Sequence, residues 1–162
     1  MGEVANGLLL TLMLILSVGL IATTFHINGL RTLVVESGSM EPAVDTGSVV
    51  IVSPQRQYQV GDIITYVSKG STGATVTHRI VGVEVVDSKQ VFIAKGDANE
   101  ERDSNKIEAE QILGKVQFTI PLYGYFVSFA KSELGYFTLV FVATLFIIQE
   151  SSSIKKEIKL IK

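Results

Sequence analysis

The chain has 162 residues, a formal net charge of -2, 47% hydrophobic residues and no cysteine, with a mean hydropathy of +0.39. That length holds one modest domain with additions, not two full domains. The charge gives no basic face for nucleic acid, and the missing thiols exclude disulfides, zinc-thiolate sites and a cysteine nucleophile.

The first element, LLLTLMLILSVGLIATTF at residues 8–25, is uncharged over roughly 18 positions, near the lower bound for a membrane span. A cleaved signal peptide is the alternative. No Lys or Arg precedes the run and the bulky Leu20 stands where a cleavage site wants a small residue, so an uncleaved anchor is expected. His26 at its end reads as an interfacial imidazole.

Next comes VVESGSMEPAV, residues 34–44, a polar turn closing an apolar stretch. A serine hydroxyl is a poor nucleophile until a positioned base takes its proton. This is not a G-x-S-x-G elbow, and Ser, Gly and Pro also build turns for purely conformational reasons. Alone, the motif leaves turn and catalysis both open.

Runs rich in Val, Ile, Thr, Tyr and Phe predict strands over residues 48–53, 62–68, 74–86, 90–97 and 112–120, separated by Gly, Pro, Ser and Asp. The expected fold class is mainly β, a small antiparallel domain between an N-terminal and a C-terminal transmembrane helix. In TVTHRIVGV, alternation puts Val76, His78 and Ile80 on one face and Thr77, Arg79 and Val81 on the other. A histidine there is a satisfied core residue or a base sheltered from water. The following loop, AKGDANEERDSNK, offers Asp97 and Asp103, with Gly96 permitting a tight bend. Either carboxylate could orient the imidazole; a solvated acidic loop is the alternative. A calcium loop is disfavoured because the oxygen ligands lack the alternate spacing of an EF-hand.

The aromatic stretch PLYGYFVSFAKSE suits a membrane interface or core packing equally. Residues 134–149 are apolar, but roughly 16 residues span only about 24 Å against a 30 Å bilayer core. They are expected to cross, with a buried helix as the alternative. In the tail, Ile154, Ile158 and Ile161 share one helical face while Lys155, Lys156, Lys159 and Lys162 fall mostly on the other. That pattern suits a helix lying on an anionic leaflet; a solvated tail is the alternative. The lysines place the C-terminus in the cytoplasm, although Arg31 after the first run favours the reverse.

Taken in order, S-G-S-M-x-P at Ser37 to Pro42, VGDII at Val60 to Ile64, THRIV at Thr77 to Val81 and KGDAN at Lys95 to Asn99, with Asp103 beyond, resemble type I signal peptidases. The resemblance is to the endoplasmic-reticulum and archaeal Ser-His subclass, nearest its Gram-positive members. It implies a serine endopeptidase that removes signal peptides from exported preproteins. It also implies Ser39 as nucleophile, His78 as base, and Asp103 as third member with Asp97 as the other acid. The Ser39 amide and Ser37 hydroxyl would bind the oxyanion, and Met40 would help line the substrate site. No metal or cofactor is implied, the partners are signal peptides and the lipid bilayer, and no obligate protein partner is required.

The expected organisation is an anchor over 1–27, an extracytoplasmic catalytic domain over 28–133, a transmembrane helix over 134–150 and a basic cytoplasmic tail over 151–162. The expected location is a prokaryotic plasma membrane. Two rival functions differ in class. One is a membrane-anchored β-module that binds a partner without catalysis. The other is a self-cleaving protease using Lys69, Lys89 or Lys95 as base.

Overall fold

A computed structural model describes residues 29–69 and 73–161, together with residues 7, 11, 13, 15 and 17, and side chains as far as residue 149. The five described positions of the N-terminal segment are helical. The rest of the expected anchor, and His26, lie outside the described residues. The chain divides into two compact units, residues 1–125 and 126–162.

The first unit holds β1 (Arg31–Val34), β2 (Val49–Ser53), β3 (Ile63–Val67), β4 (Thr75–Val86), β5 (Lys89–Lys95), β6 (Ile107–Glu108) and β7 (Ile112–Ile120). They form one sheet in the order β1-β2-β7-β3-β4-β5-β6, and every pairing is antiparallel. All five predicted strands are present, β7 with its expected bounds. The strands β1 and β6 were not expected. The β4–β5 hairpin turns through Asp87 and Ser88, with φ of 50° and 64°. Positive φ at both central residues is what a two-residue hairpin turn demands, and its twist matches the strands.

Alternation sorts the side chains. Ile64, Tyr66, Ile80, Phe92, Ala94, Ile107 and Ile112 form one buried cluster, and Met40, Val44, Val50 and Val52 form another. Burying each large apolar side chain contributes about 1.5–3 kcal/mol. Removing the Phe92 ring, 2% exposed, would cost about 3–5 kcal/mol. A β-bulge between Ile51 and Val52 lets β2 follow β7. At Gly114 the chains approach so closely that a Cβ would lie 2.5 Å from the carbonyl carbon of Ser53.

After β7 come α1 (Tyr123–Lys131), a helix that was not expected, and α2 (Glu133–Ile161). The axes of α1 and of α2 up to Gln149 meet at about 90°. Ser132 makes the corner: its Oγ donates to Phe129 O at 2.7 Å and accepts from Gly135 N–H at 3.1 Å. Such a serine cap satisfies an amide at the start of a helix that has no partner within it. Gly135 must lack a side chain, because a Cβ there would fall 1.8 Å from Phe129 O. The expected segment 134–149 and the tail as far as Ile161 are one continuous helix. Among the described residues no single helix is long and apolar enough to cross a membrane. The bent pair of α1 and α2 to Gln149 reaches that length and composition together.

Candidate active site

Ser39 lies in the turn after β1. Glu41 N–H donates to Gly38 O at 3.0 Å and Val44 N–H to Met40 O at 2.9 Å, closing the loop. Met40 and Val44, 1% and 2% exposed, plug it into the core. Met40 borders the cleft and belongs to the buried cluster with Val50 and Val52. The KGDAN loop clasps the turn from the other side, with Ala98 N–H donating to Ser39 O at 2.9 Å. Gly96 permits this approach, since a Cβ there would stand 2.5 Å from Ser39 O.

His78 comes from the middle of β4, opposite Ile64 of β3, and is 7% exposed. Its Nε2 is 3.1 Å from Ser39 Oγ, and its Nδ1 is 2.7 Å from Asp103 Oδ2 and 2.9 Å from Oδ1. A carboxylate only accepts, so Nδ1 carries the proton and Nε2 is left to accept from the serine hydroxyl. Asp103 follows β5, where its N–H donates to Ala94 O at 2.9 Å. Ser37 Oγ lies 3.4 Å from Ser39 Oγ.

The two acids are separated. Asp97 turns away from the imidazole to accept from Arg79 Nε at 2.8 Å and Nη2 at 2.6 Å. Arg79 Nη1 donates to Gly61 O at 3.0 Å, so the VGDII segment braces the same guanidinium. Its neighbour Asp62 is buried, accepting from Gln59 N–H and paired with Lys115. The Arg79 guanidinium holds the Asp97 carboxyl below the usual carboxylate range, against a smaller opposing effect of burial. The same bond raises Arg79. Of the lysines considered as bases, Lys69 pairs with Glu108.

One participant escaped the sequence reading. Tyr66 O–H donates to Asp103 Oδ2 at 2.7 Å. Burial, then the bond to Asp103, pushes its phenol well above the ordinary tyrosine range. The available signal was register: Tyr66 stands two residues after Ile64, the partner of His78, and hence on the same face.

A cleft of about 670 Å³ opens over Ser39 and His78, between residues 33–37 on one side and 73–78 on the other. Val35 directs both backbone groups toward β2, its N–H to Ser48 O at 2.9 Å and its O to Gly47 N–H at 2.8 Å.

The antiparallel sheet thus carries Ser39, His78 and Asp103 in one hydrogen-bonded series. The family model for signal peptidase, peptidase S26, matches residues 5–127, and the chain belongs to that family. It is 33% identical over 113 residues to the signal peptidase complex catalytic subunit SEC11 of Yarrowia lipolytica, covering 64% of each chain. It is 37% identical over 86 residues to signal peptidase I W of Bacillus subtilis, covering 51% of this chain and 43% of that protein. The SEC11 subunit of Candida dubliniensis is 34% identical over 113 residues, 64% of this chain and 67% of that one. The chain thus spans less than two thirds of the Yarrowia relative and under half of the Bacillus one.

Proposed function

We propose that the protein is a membrane-tethered serine endopeptidase that cuts signal peptides from exported preproteins. The observation that carries this reading is the unbroken series Ser39 Oγ, His78 Nε2, His78 Nδ1, Asp103, with links of 3.1 and 2.7 Å. Ser39 attacks the carbonyl before the cut as His78 takes its proton. The imidazolium, held by Asp103, returns that proton to the departing amine, and water then releases the acyl group by the same route. The Ser39 amide and Ser37 hydroxyl are the expected oxyanion donors, aimed where charge develops.

The cleft supports an extended substrate. β1 is an edge strand among the described residues and lines the cleft at Leu33 and Val34, so an extended peptide can add to it by backbone hydrogen bonds. Leu33, Val35, Ala74 and Val76 give the cleft an apolar lining suited to small residues at -1 and -3. Tethering rests on the uncharged run 8–25 and on the bent helix pair, whose Phe137, Phe141, Leu145 and Ile147 are all exposed. In this reading the β-domain is extracytoplasmic at a prokaryotic plasma membrane and the lysine-rich tail is cytoplasmic.

The test is incubation of the purified full chain in detergent with a tagged preprotein, followed by N-terminal sequencing of the product. A single new N-terminus after a small-x-small sequence, absent with Ser39→Ala, is expected. Cleavage that persists in Ser39→Ala sinks the proposal.

A further inference from the structure

The strand register places a phenol behind the acid of the site. Tyr66 pairs with Val76 and Ile64 with His78, so Tyr66 and His78 project from the same face of adjacent strands. The Tyr66 ring is packed among Ile64, Ile80, Phe92 and Ile107 and the residue is 6% exposed. Its hydroxyl has one geometric destination, and that is Asp103 Oδ2, which is also the oxygen nearer His78 Nδ1.

Asp103 needs such a support. It sits in a stretch with no regular secondary structure between β5 and β6, anchored by its backbone bond to Ala94 O. That bond fixes the main chain and leaves the carboxylate free to rotate. Two donors on its side chain, the phenol and the imidazole, define one rotamer. A second cavity of about 230 Å³ opens beside this contact, lined by Tyr66, Asp103, His78, Lys69 and Gln111. Water there would compete for any carboxylate oxygen that the protein does not hold.

We propose that Tyr66 is a positioning residue: the O–H donated to Asp103 Oδ2 keeps the carboxylate on His78 Nδ1 and so keeps Nε2 aimed at Ser39. This deepens the peptidase reading and rests on it. The raised ionisation of the buried phenol keeps it protonated, and therefore a donor, across the neutral range. Merely satisfying a buried hydroxyl would also explain the bond, and the two explanations part on kinetics.

The experiment uses the full chain in detergent, comparing Tyr66→Phe in the native and Asp103→Asn backgrounds. Tyr66→Phe keeps the ring in its packing. A charge-assisted hydrogen bond of this kind corresponds to a fall of about 10-fold in kcat for preprotein cleavage, at unchanged KM. In the Asp103→Asn background the same change should cost less than about twofold, because its target is gone. A second readout needs no substrate: the low-field proton resonance of His78 Nδ1–H, absent in Asp103→Asn, should broaden in Tyr66→Phe. Unchanged kcat with an unchanged resonance overturns the proposal, as does an equal loss in both backgrounds. If the chain cuts no preprotein at all, the peptidase reading fails by itself. The resonance then decides: broadening upholds Tyr66 as the support of Asp103, and an unaltered line removes it.

Discussion

Arg79 grips Asp97 through two parallel hydrogen bonds, Nε to Oδ1 at 2.8 Å and Nη2 to Oδ2 at 2.6 Å, one residue along β4 from His78. Because adjacent strand residues face opposite sides, the strand that presents the imidazole to Asp103 also presents a guanidinium to Asp97. The two acids of one loop are thereby given different tasks, hydrogen-bonding the base and closing the loop.

That division sets the first prediction. Asp103→Asn should lower kcat by roughly 10⁴-fold with little change in melting temperature, because an amide in place of the carboxylate favours the wrong imidazole tautomer. Asp97→Asn should instead lower stability by about 1–2 kcal/mol once solvent screening of the partly exposed pair is allowed for. Thermal melts beside steady-state kinetics check both. A larger kcat loss at Asp97 than at Asp103 would exchange the two roles.

The pH dependence follows from the same pair. Arg79 depresses the folded-state ionisation of Asp97, so on acidification the unfolded chain binds the proton first. The stability from Asp97 is therefore fully present above the unfolded value of about 3.9 and is lost as pH falls through the folded one. The gap in melting temperature between wild type and Asp97→Asn should be constant from about pH 6 to 8 and should close below about pH 4. A gap that widens in acid contradicts this assignment.

Ser37 and Ser39 should differ in degree. Ser39→Ala removes the attacking oxygen and is expected to cost roughly 10⁴ to 10⁶ in rate while the fold persists. Ser37→Ala, which removes an oxyanion donor of the proposed mechanism, should lower kcat by roughly 10²-fold with KM nearly unchanged. Unaltered turnover in Ser37→Ala would leave the oxyanion to backbone amides alone.

Gly96 offers a test that changes no titratable group. An added Cβ would meet Ser39 O at 2.5 Å, and backbone cannot yield as a side-chain end can. Gly96→Ala should therefore push the serine turn off the KGDAN loop, destabilising by about 1–3 kcal/mol. Lower kcat should accompany it. A crystal structure or melt indistinguishable from wild type would show that the clasp has slack.

Much of this was legible in the residues. Val, Ile and Thr runs announced the five longer strands because half-buried pleated surfaces select those side chains. The strand β1 was hidden because the four residues RTLV show no clear alternation, and β6 because two residues carry no period. The helix α1 was masked by aromatic residues that suit an interface as well as a helix. Ser39 and His78, singled out by motif order and the apolar face of β4, stand 3.1 Å apart in the structure. Which acid meets His78 was not readable: both lie in an aperiodic loop, and the choice depends on Arg79 capturing one of them. The Tyr66 contact spans 37 positions and needs the register of β3 on β4.

The order of the sheet has a consequence for how the protein comes into being. The strand made last, β7, lies between β2 and β3. It is the hydrogen-bonded seam joining the part that bears Ser39 to the part that bears His78 and Asp103. Until residues 112–120 have left the ribosome and paired, the Ser39 turn and the part bearing His78 and Asp103 share the Ala98 N–H bond to Ser39 O but no strand ladder. A nascent chain without β7 thus lacks the ladder that holds the Ser39 turn beside His78. Chains truncated before β7 should be inert even if each fragment keeps its local structure.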